Sequence, residues 1–338
     1  MPNTIAAFGE VMMRLETPGL RLLSQTDTLQ VSYSGSGVNV LSALSRFGHR
    51  ALPVTTLPDN PIGDAAEANL RKLGLSTDYI RRDGLYLGMY FLETGFGARP
   101  SRVTYSNRPH SSFNTAAEGI YPFAGIAGAV DAVHFCGISL AMNDTVRRNA
   151  LAFAESVKAA GKTVVFDCNY RPALWGEDGY AIARPWYEKM LHLADIVYMN
   201  ENDAIHILGL PVSSTERLDQ LRELIPAVSK SYNIATIAGT HRHIEQGGQH
   251  SLLGYLHTGN VFYFSDPLTF PVYDRIGAGD AYASGILHGI LSDFAPEQTV
   301  RFASAASMLA HTIVGDTPFS SEPQIFRAMM EGIGDIER

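Results

Sequence analysis

Asp274-Arg275-Ile276-Gly277-Ala278-Gly279-Asp280-Ala281-Tyr282-Ala283-Ser284-Gly285 is the stretch whose reading decides the fold. An extended, β-rich run leads into it, first Val261-Phe262-Tyr263-Phe264 and then Phe270-Pro271-Val272-Tyr273. After it, Ala283, Ile286, Leu287, Ile290 and Leu291 recur at helical spacing. The stretch therefore reads as a glycine turn that opens a buried helix, with a carboxylate in the first turn. Two glycines let the backbone point its N–H groups at a ligand, and the helix N-terminus adds positive potential there. Such a turn is an anion cradle, and a carboxylate inside one repels the phosphate it is suited to hold. Two accounts of Asp280 stand side by side. It caps the helix by accepting free N–H groups, or it is a base beside a transferring phosphoryl group, the part an Asp plays in kinases. Spacing alone does not choose between them.

Composition narrows the setting. The chain has 338 residues, 46% of them hydrophobic and 18% charged, enough for one large α/β domain or two smaller ones with ample core. A net charge of −8, a pI near 5.7 and the lack of any basic run argue against a nucleic-acid partner. No apolar stretch reaches membrane-spanning length, and the N-terminus enters a strand-like run (Ile5-Ala6-Ala7-Phe8) at once, so neither a membrane partner nor a secretory signal is expected and the protein is read as cytoplasmic. Cys136 and Cys168 sit inside apolar strand-like runs and read as buried free thiols.

Outward from the glycine turn, strand and helix alternate. Ile5–Phe8, Leu52–Thr56, Ala132–Cys136, Thr163–Phe166, Ile196–Met199 and Ile234–Ala238 read as strands. Between several of them, helices are predicted after Ser34-Gly35-Ser36-Gly37-Val38-Asn39, over Ile62–Leu73 and through Val146, Leu151, Phe153 and Val157. Gly48 closes the first of these as a C-terminal cap. Alternation of this kind marks a doubly wound, mostly parallel sheet with helices on both faces. It breaks at Leu85–Gly95 and Val103–Ser106, a β-hairpin that with residues 11–33 would form a small flap. The flap carries Tyr90, Arg99, Arg102, Tyr105 and Arg108, a local reversal of sign in an acidic chain. Those arginines read either as a solvated edge protected by charge or as a positive mouth for an anionic substrate.

Two polar clusters close predicted strands, where open α/β sheets bind ligands. Asp167-Cys168-Asn169-Tyr170-Arg171 follows one, with an Asp167–Arg171 ion pair as the plain structural reading; Asn200-Glu201-Asn202-Asp203 follows another and suits Mg²⁺ or a helix cap. His241, His243 and His250 lack a carboxylate or Cys at ligand spacing and read as surface histidines.

The stretch Asp274–Gly285 resembles the second signature of the PfkB (ribokinase-like) sugar kinases, which ends in a Gly-Ala-Gly-Asp anion hole. Ser34–Asn39 is similar to the first signature, Gly-Gly-x-x-x-Asn, with Ser34 in place of the first glycine. The run from Asp167 to Trp175 resembles the Asp-x-Asn-x-Arg-x-x-Leu-Trp pattern of the 2-keto-3-deoxygluconate kinases within that family. Both signatures stand in order, and the likeness spans nearly the whole chain. It implies one ribokinase-like domain over residues 1–338, with a discontinuous β lid at about 11–33 and 85–113 through which copies of the chain could pair.

The resemblance also implies a reaction: transfer of a phosphoryl group from ATP, with Mg²⁺, to the 6-hydroxyl of a small sugar acid, 2-keto-3-deoxygluconate. Asp280 would be the base, and Gly277, Ala278 and Gly279 the anion hole. Gly35, Asn39, Tyr90, Tyr105, Arg108, Arg171 and Asp316 would contact the sugar acid. Asn169, Arg171 and a glycine turn at Gly239 would serve the nucleotide, and Glu201 or Asp203 the magnesium. The alternatives are a fructokinase or nucleoside kinase of the same family, and a non-catalytic sugar sensor on the same fold.

Overall fold

The structure is a computed structural model that describes residues 2–244 and 249–331. Its strands, in chain order, are β1 (Thr4–Phe8), β2 (Met12–Glu16), β3 (Gln30–Ser34), β4 (Arg50–Leu57), β5 (Ile80–Arg82), β6 (Gly88–Glu93), β7 (Arg102–Ser106), β8 (Ala132–Cys136), β9 (Thr163–Asp167), β10 (Ile196–Tyr198), β11 (Thr236–Ile244), β12 (His250–Thr258), β13 (Val261–Phe264) and β14 (Leu268–Phe270). They form two sheets.

The larger sheet runs β13-β12-β11-β10-β9-β8-β1-β4-β5, with β14 also paired to β12. Every pairing from β11 to β5 is parallel, and β12 and β13 extend the sheet antiparallel. Its middle strands are apolar on both faces, as parallel strands covered by helices on either side must be. One core layer gathers Phe8, Phe135, Phe153 and Phe166; the other gathers Leu41, Leu44, Ile286, Leu287 and Phe302. In the second layer the helix Ala278–Leu291 packs between the helices Ser36–Arg46 and Pro296–Ala310. The last two approach closely because Gly285 has no side chain: a Cβ there would come within 2.6 Å of Ala303 Cα. Gly48, at φ 88°, ends the helix Ser36–Arg46 in the left-handed conformation expected of it.

The smaller sheet runs β3-β2-β6-β7, with β2 and β6 parallel and the outer pairs antiparallel. Its strands fall in the two stretches read as a flap, except that β3 runs one residue further, to Ser34.

Three expectations change. The strand expected over Phe270–Tyr273 stops at Phe270; Pro271 has no N–H to give, and the N–H groups of Tyr273 and Asp274 turn to the carbonyl of His311 instead. Leu85 is exposed and precedes β6, which starts at Gly88. No turn forms at Gly239-Thr240. The ladder with β12 continues through Gly239 opposite Tyr255, and Gly239 is needed for space, since a Cβ would run into the Met199 carbonyl oxygen.

One side chain ties the smaller sheet to the glycine turn. Arg14 on β2 is 1% exposed. It donates to Glu16 Oε2 at 2.8 Å, to Asp274 Oδ2 at 3.3 Å and to Asp316 Oδ1. Asp316 Oδ2 also accepts from Ser34 Oγ at 2.8 Å and from the Tyr90 hydroxyl. Asp274 accepts further from the N–H groups of Ile276 (3.1 Å) and Gly315 (3.2 Å). A buried guanidinium with three carboxylates is held by mutual neutralisation, and removing it strands the acids. Arg14→Leu is therefore expected to destabilise the protein by about 3–5 kcal/mol, read by urea unfolding at pH 7. A loss below about 1 kcal/mol, the range of surface ion pairs, would show that the cluster is not holding the smaller sheet to the glycine turn.

Candidate active site

The glycine turn opens the helix Ala278–Leu291 as its spacing predicts. Gly277 precedes the first helical residue with φ 80°, a left-handed conformation that favours glycine, and its Cα faces the carbonyl oxygen of Asp316 so closely that no side chain fits. At Gly279 a Cβ would meet no atom within 4 Å, so that side of the turn is open.

Asp280 follows, and its carboxylate is not spent on the helix: among the described residues no helix N–H donates to it. Instead Ser36 Oγ donates to Oδ1 at 2.7 Å and Asn39 Nδ2 to Oδ2 at 2.8 Å, both from the first turn of the helix Ser36–Arg46. Thr317 Oγ1 in turn donates to Asn39 Oδ1 at 3.4 Å. The two glycine signatures thus meet through these bonds. Burial raises the pKa of Asp280, while the bonds from Asn39 and Ser36 and the charge of Arg171 hold the rise back. The arrangement is an oriented carboxylate of enhanced basicity beside a turn of free N–H groups, not a helix cap.

Two further acids stand at neighbouring strand ends. Asp167, at the end of β9, is half-buried, and its pKa is pushed up to about 8, first by burial and then by Asp280, with Asp203 adding and Arg171 opposing. Asp203 rises to about 6 through burial and the charge of Glu201, against the N–H of Asn200 and the charge of Arg171. The Asp167–Arg171 ion pair does not form: Arg171 is exposed, with NH1 3.3 Å from the Tyr170 carbonyl oxygen, and it acts on all three acids as a nearby charge. Asn169 sits at φ 35° and points Nδ2 at Cys136 Sγ, 3.2 Å away.

In Asn200–Asp203 the two acids have different surroundings. Asp203 Oδ2 accepts from Asn200 N at 2.8 Å, and Asn200 Oδ1 accepts from the N–H groups of Asn202 (2.8 Å) and Asp203 (3.3 Å), a reciprocal cap on the wide turn Asp203–Ile207. Glu201 is fully buried; its Oε1 takes Arg217 Nε at 2.7 Å and NH2 at 2.6 Å, and its Oε2 has no partner. That orphaned oxygen fits a further donor or a hydrated cation.

On the smaller sheet, Tyr90 and Tyr105 face each other across β6 and β7 with ring centroids 6.3 Å apart. The Tyr90 hydroxyl is bound to Ser34 and Asp316, and burial pushes its pKa up to about 12. Tyr105 is exposed and carries the Arg108 guanidinium 4.7 Å above its ring. Arg108 is buried and paired through Nε with Glu10 at 2.7 Å, leaving NH1 buried without a partner. Gly35 backs onto the Glu10 carbonyl, where a Cβ would clash. Asp316, read as a sugar contact, has both oxygens engaged by Arg14, Ser34 and Tyr90.

Sequence reasoning missed Glu10, Arg14, Ser36 and Thr317. Of these, Arg14 left a signal: a lone charge inside the apolar strand run Val11-Met12-Met13-Arg14-Leu15.

Comparisons with known proteins identify the family. The model of the pfkB family carbohydrate kinases matches residues 2–323, so the chain belongs to that family and is an ATP-dependent carbohydrate kinase. A solved structure from Enterococcus faecalis, provisionally described as a 2-keto-3-deoxygluconate kinase, is 40% identical with a TM-score of 0.95, over 99% of each chain. The 2-dehydro-3-deoxygluconokinase of Thermotoga maritima is 32% identical with a TM-score of 0.91, over 97% of this chain and 99% of its own. Among curated relatives, the 2-dehydro-3-deoxygalactonokinase of Haloferax volcanii is 26% identical over the full length of both chains. The ribokinase-like α/β fold is thereby shown.

The raised Asp167 has a consequence for stability. Its folded pKa of about 8 lies above the ordinary carboxylate value of about 3.9, so the stability it supports at low pH is lost as pH rises toward the folded value. Asp167→Asn removes that loss. The ligand-free variant is expected to melt higher than wild type, by a margin that grows from pH 5 to about pH 8 and then levels off. Thermal unfolding across this range reads it, and a margin independent of pH would count against a neutral Asp167.

Proposed function

We infer that this kinase transfers the terminal phosphoryl group of ATP to the 6-hydroxyl of 2-keto-3-deoxygluconate, with Asp280 as the base. The observation that carries the reading is the Asp280 carboxylate, oriented by Ser36 and Asn39 beside the open glycine turn. Structures 40% and 32% identical over nearly the whole chain bear names of this activity, and the curated relative at 26% acts on the galactonate counterpart. A 2-keto-3-deoxy sugar acid is the substrate class common to them.

The residues then divide the work. The N–H groups from Gly277 to Asp280 would neutralise charge on the phosphates in flight, and Asp280 would take the proton of the attacking hydroxyl. Gly35 and Asn39 would border the sugar, and Asn39 would also keep Asp280 aimed. The unpartnered NH1 of Arg108, with the Tyr105 and Tyr90 hydroxyls, would meet the carboxylate end, and Arg171 would approach the substrate and phosphates from the sheet. Asp316 would act through Tyr90 and Ser34. Asn169 and the strand backbone at Gly239 would border the nucleotide.

Magnesium, when bound, would supply positive charge that offsets the charge of the phosphates. The free Glu201 Oε2 and the Asp203 carboxylate are the acids that would hold its water shell. The smaller sheet would close over the sugar as a lid belonging to the same domain, excluding water that competes for the phosphoryl group. Its outward residues Val31 and Val103 are exposed, which suits pairing of two copies through the lid. An enzyme that draws on ATP in this way would work in the cytoplasm.

Asp280→Asn tests the base, because the amide keeps the shape and can still accept from Ser36. Binding of sugar acid and ATP is expected to stay within a few-fold of wild type, while kcat falls on the order of a hundredfold or more. A variant that retains near-normal kcat would remove Asp280 from the chemistry.

A further inference from the structure

Glu10 is a buried acid to which the chemistry above gives no part. It stands two residues beyond the end of β1, a middle strand of the larger sheet between β8 and β4, on the side where open α/β sheets bind ligands. Both of its carboxylate oxygens are taken by one loop. Oε2 accepts from Arg108 Nε at 2.7 Å, and Oε1 from Ser111 Oγ at 2.7 Å and Asn114 Nδ2 at 3.2 Å. That loop leaves β7 through Asn107, which has φ 54°, and carries Arg108 from the smaller sheet back toward the larger one.

The loop is folded round the acid. Asn114 Nδ2 also donates to the Arg108 carbonyl oxygen at 2.8 Å, and Asn114 N donates to Ser111 Oγ at 3.4 Å. Gly88, the first residue of β6, closes in from another side: a Cβ there would lie 2.3 Å from Glu10 Oε1. A Cβ on Gly35 would come equally close to the Glu10 carbonyl oxygen. Glu10 is thus in direct contact with two residues assigned to the sugar acid, Gly35 through its backbone and Arg108 through its side chain.

A guanidinium offers donors along two edges, Nε with NH2 on one and NH1 with NH2 on the other. Glu10 takes the first edge through Nε, and the Tyr105 ring lies 4.7 Å from the guanidinium carbon. The second edge keeps NH1, buried without a partner. An ion pair present only to hold the loop gains nothing from an orphaned donor, which is costly to leave unmade. A guanidinium fixed along one edge and unspent along the other has lost its rotamer freedom before a ligand arrives, so an incoming carboxylate need not order it.

We propose that Glu10 is a positioning residue for acid recognition: by holding the Nε edge of Arg108 it aims the NH1 edge at the carboxylate of the sugar acid. The proposal rests on the reading of Arg108 as the contact to that carboxylate. Glu10 carries the same charge as the substrate's acid group and acts on it through Arg108.

Steady-state kinetics of the full chain with ATP and 2-keto-3-deoxygluconate test this, in the wild type, Glu10→Ala and Glu10→Gln, each also combined with Arg108→Ala. Glu10→Ala is expected to raise KM for the keto acid on the order of tenfold or more, and Glu10→Gln, which keeps an acceptor for Nε, by a smaller factor. In both, kcat and KM for ATP stay within a few-fold of wild type, which a general loosening of the fold would not leave untouched. In the Arg108→Ala background neither change raises KM for the keto acid further, because the group being aimed is gone. Melting temperatures show which variants fold, and Glu10→Gln decides where Glu10→Ala does not. An unchanged KM for the keto acid in the folded variants, an equal rise in KM for ATP, or a full further rise on top of Arg108→Ala would overturn the role of Glu10 alone. A wild type that phosphorylates neutral sugars but no sugar acid would overturn the proposed substrate and this role together.

Discussion

The buried guanidinium of Arg14 is the constraint on which the rest of the site depends. It holds Glu16 of its own strand, Asp274 at the head of the glycine turn and Asp316 beneath that turn. Asp316 backs directly onto Gly277, and Asp274 fixes the N–H groups of Ile276 and Gly315. The position of the smaller sheet and the shape of the anion turn are therefore set by one charge cluster. Burying four charged groups is costly, and the cost is met only while all partners are present. A smaller sheet joined to the glycine turn in this way cannot shift far without disturbing that turn.

A second theme is how an acidic protein handles anionic ligands. Asp167, Asp203 and Asp280 stand near one another at the ends of strands and in the helix turn, with Arg171 as the charge they share. Burial raises all three pKa values, and repulsion from neighbouring acids adds to the rise at Asp167 and Asp203, which makes each a better proton acceptor and a readier partner for a cation. Asp280 differs from the other two in having a hydrogen-bond donor on each oxygen from the helix Ser36–Arg46. Orientation by Ser36 and Asn39 sets the proposed base apart from its acidic neighbours.

Much of this was legible in the chain because it is written locally. Apolar runs alternating with helical periods gave the parallel sheet and its order of elements, and Gly277 with Gly279 marked the turn at once. The flap showed itself by β-rich, aromatic stretches that interrupt the alternation. What stayed hidden depends on distant partners. Nothing near Arg108 in sequence announces its bond to Glu10, 98 residues away, and nothing near Asp316 announces Arg14, 302 residues away. Gly239 misled for a related reason: glycine marks a turn by default, yet here it serves the approach of the Met199 carbonyl across the sheet. Asp280 was ambiguous in sequence because cap and base occupy the same first-turn position. Only the bonds to Ser36 and Asn39, more than 200 residues upstream, show that Asp280 is not spent on a helix cap.

Substrate choice is where the proposed activity is most exposed. A carboxylate entering a closed site loses its water and needs charge-assisted bonds in return; a neutral sugar leaves the same donors unpaired. The direct measurement is kcat/KM for ATP-dependent phosphorylation of 2-keto-3-deoxygluconate against fructose, with the product's phosphate located by ³¹P–¹H coupling. Sugar-acid specificity predicts a ratio on the order of a hundredfold or more in favour of the keto acid, with the phosphate on its 6-oxygen. Equal kcat/KM for the two, or a phosphate on another oxygen, would contradict it.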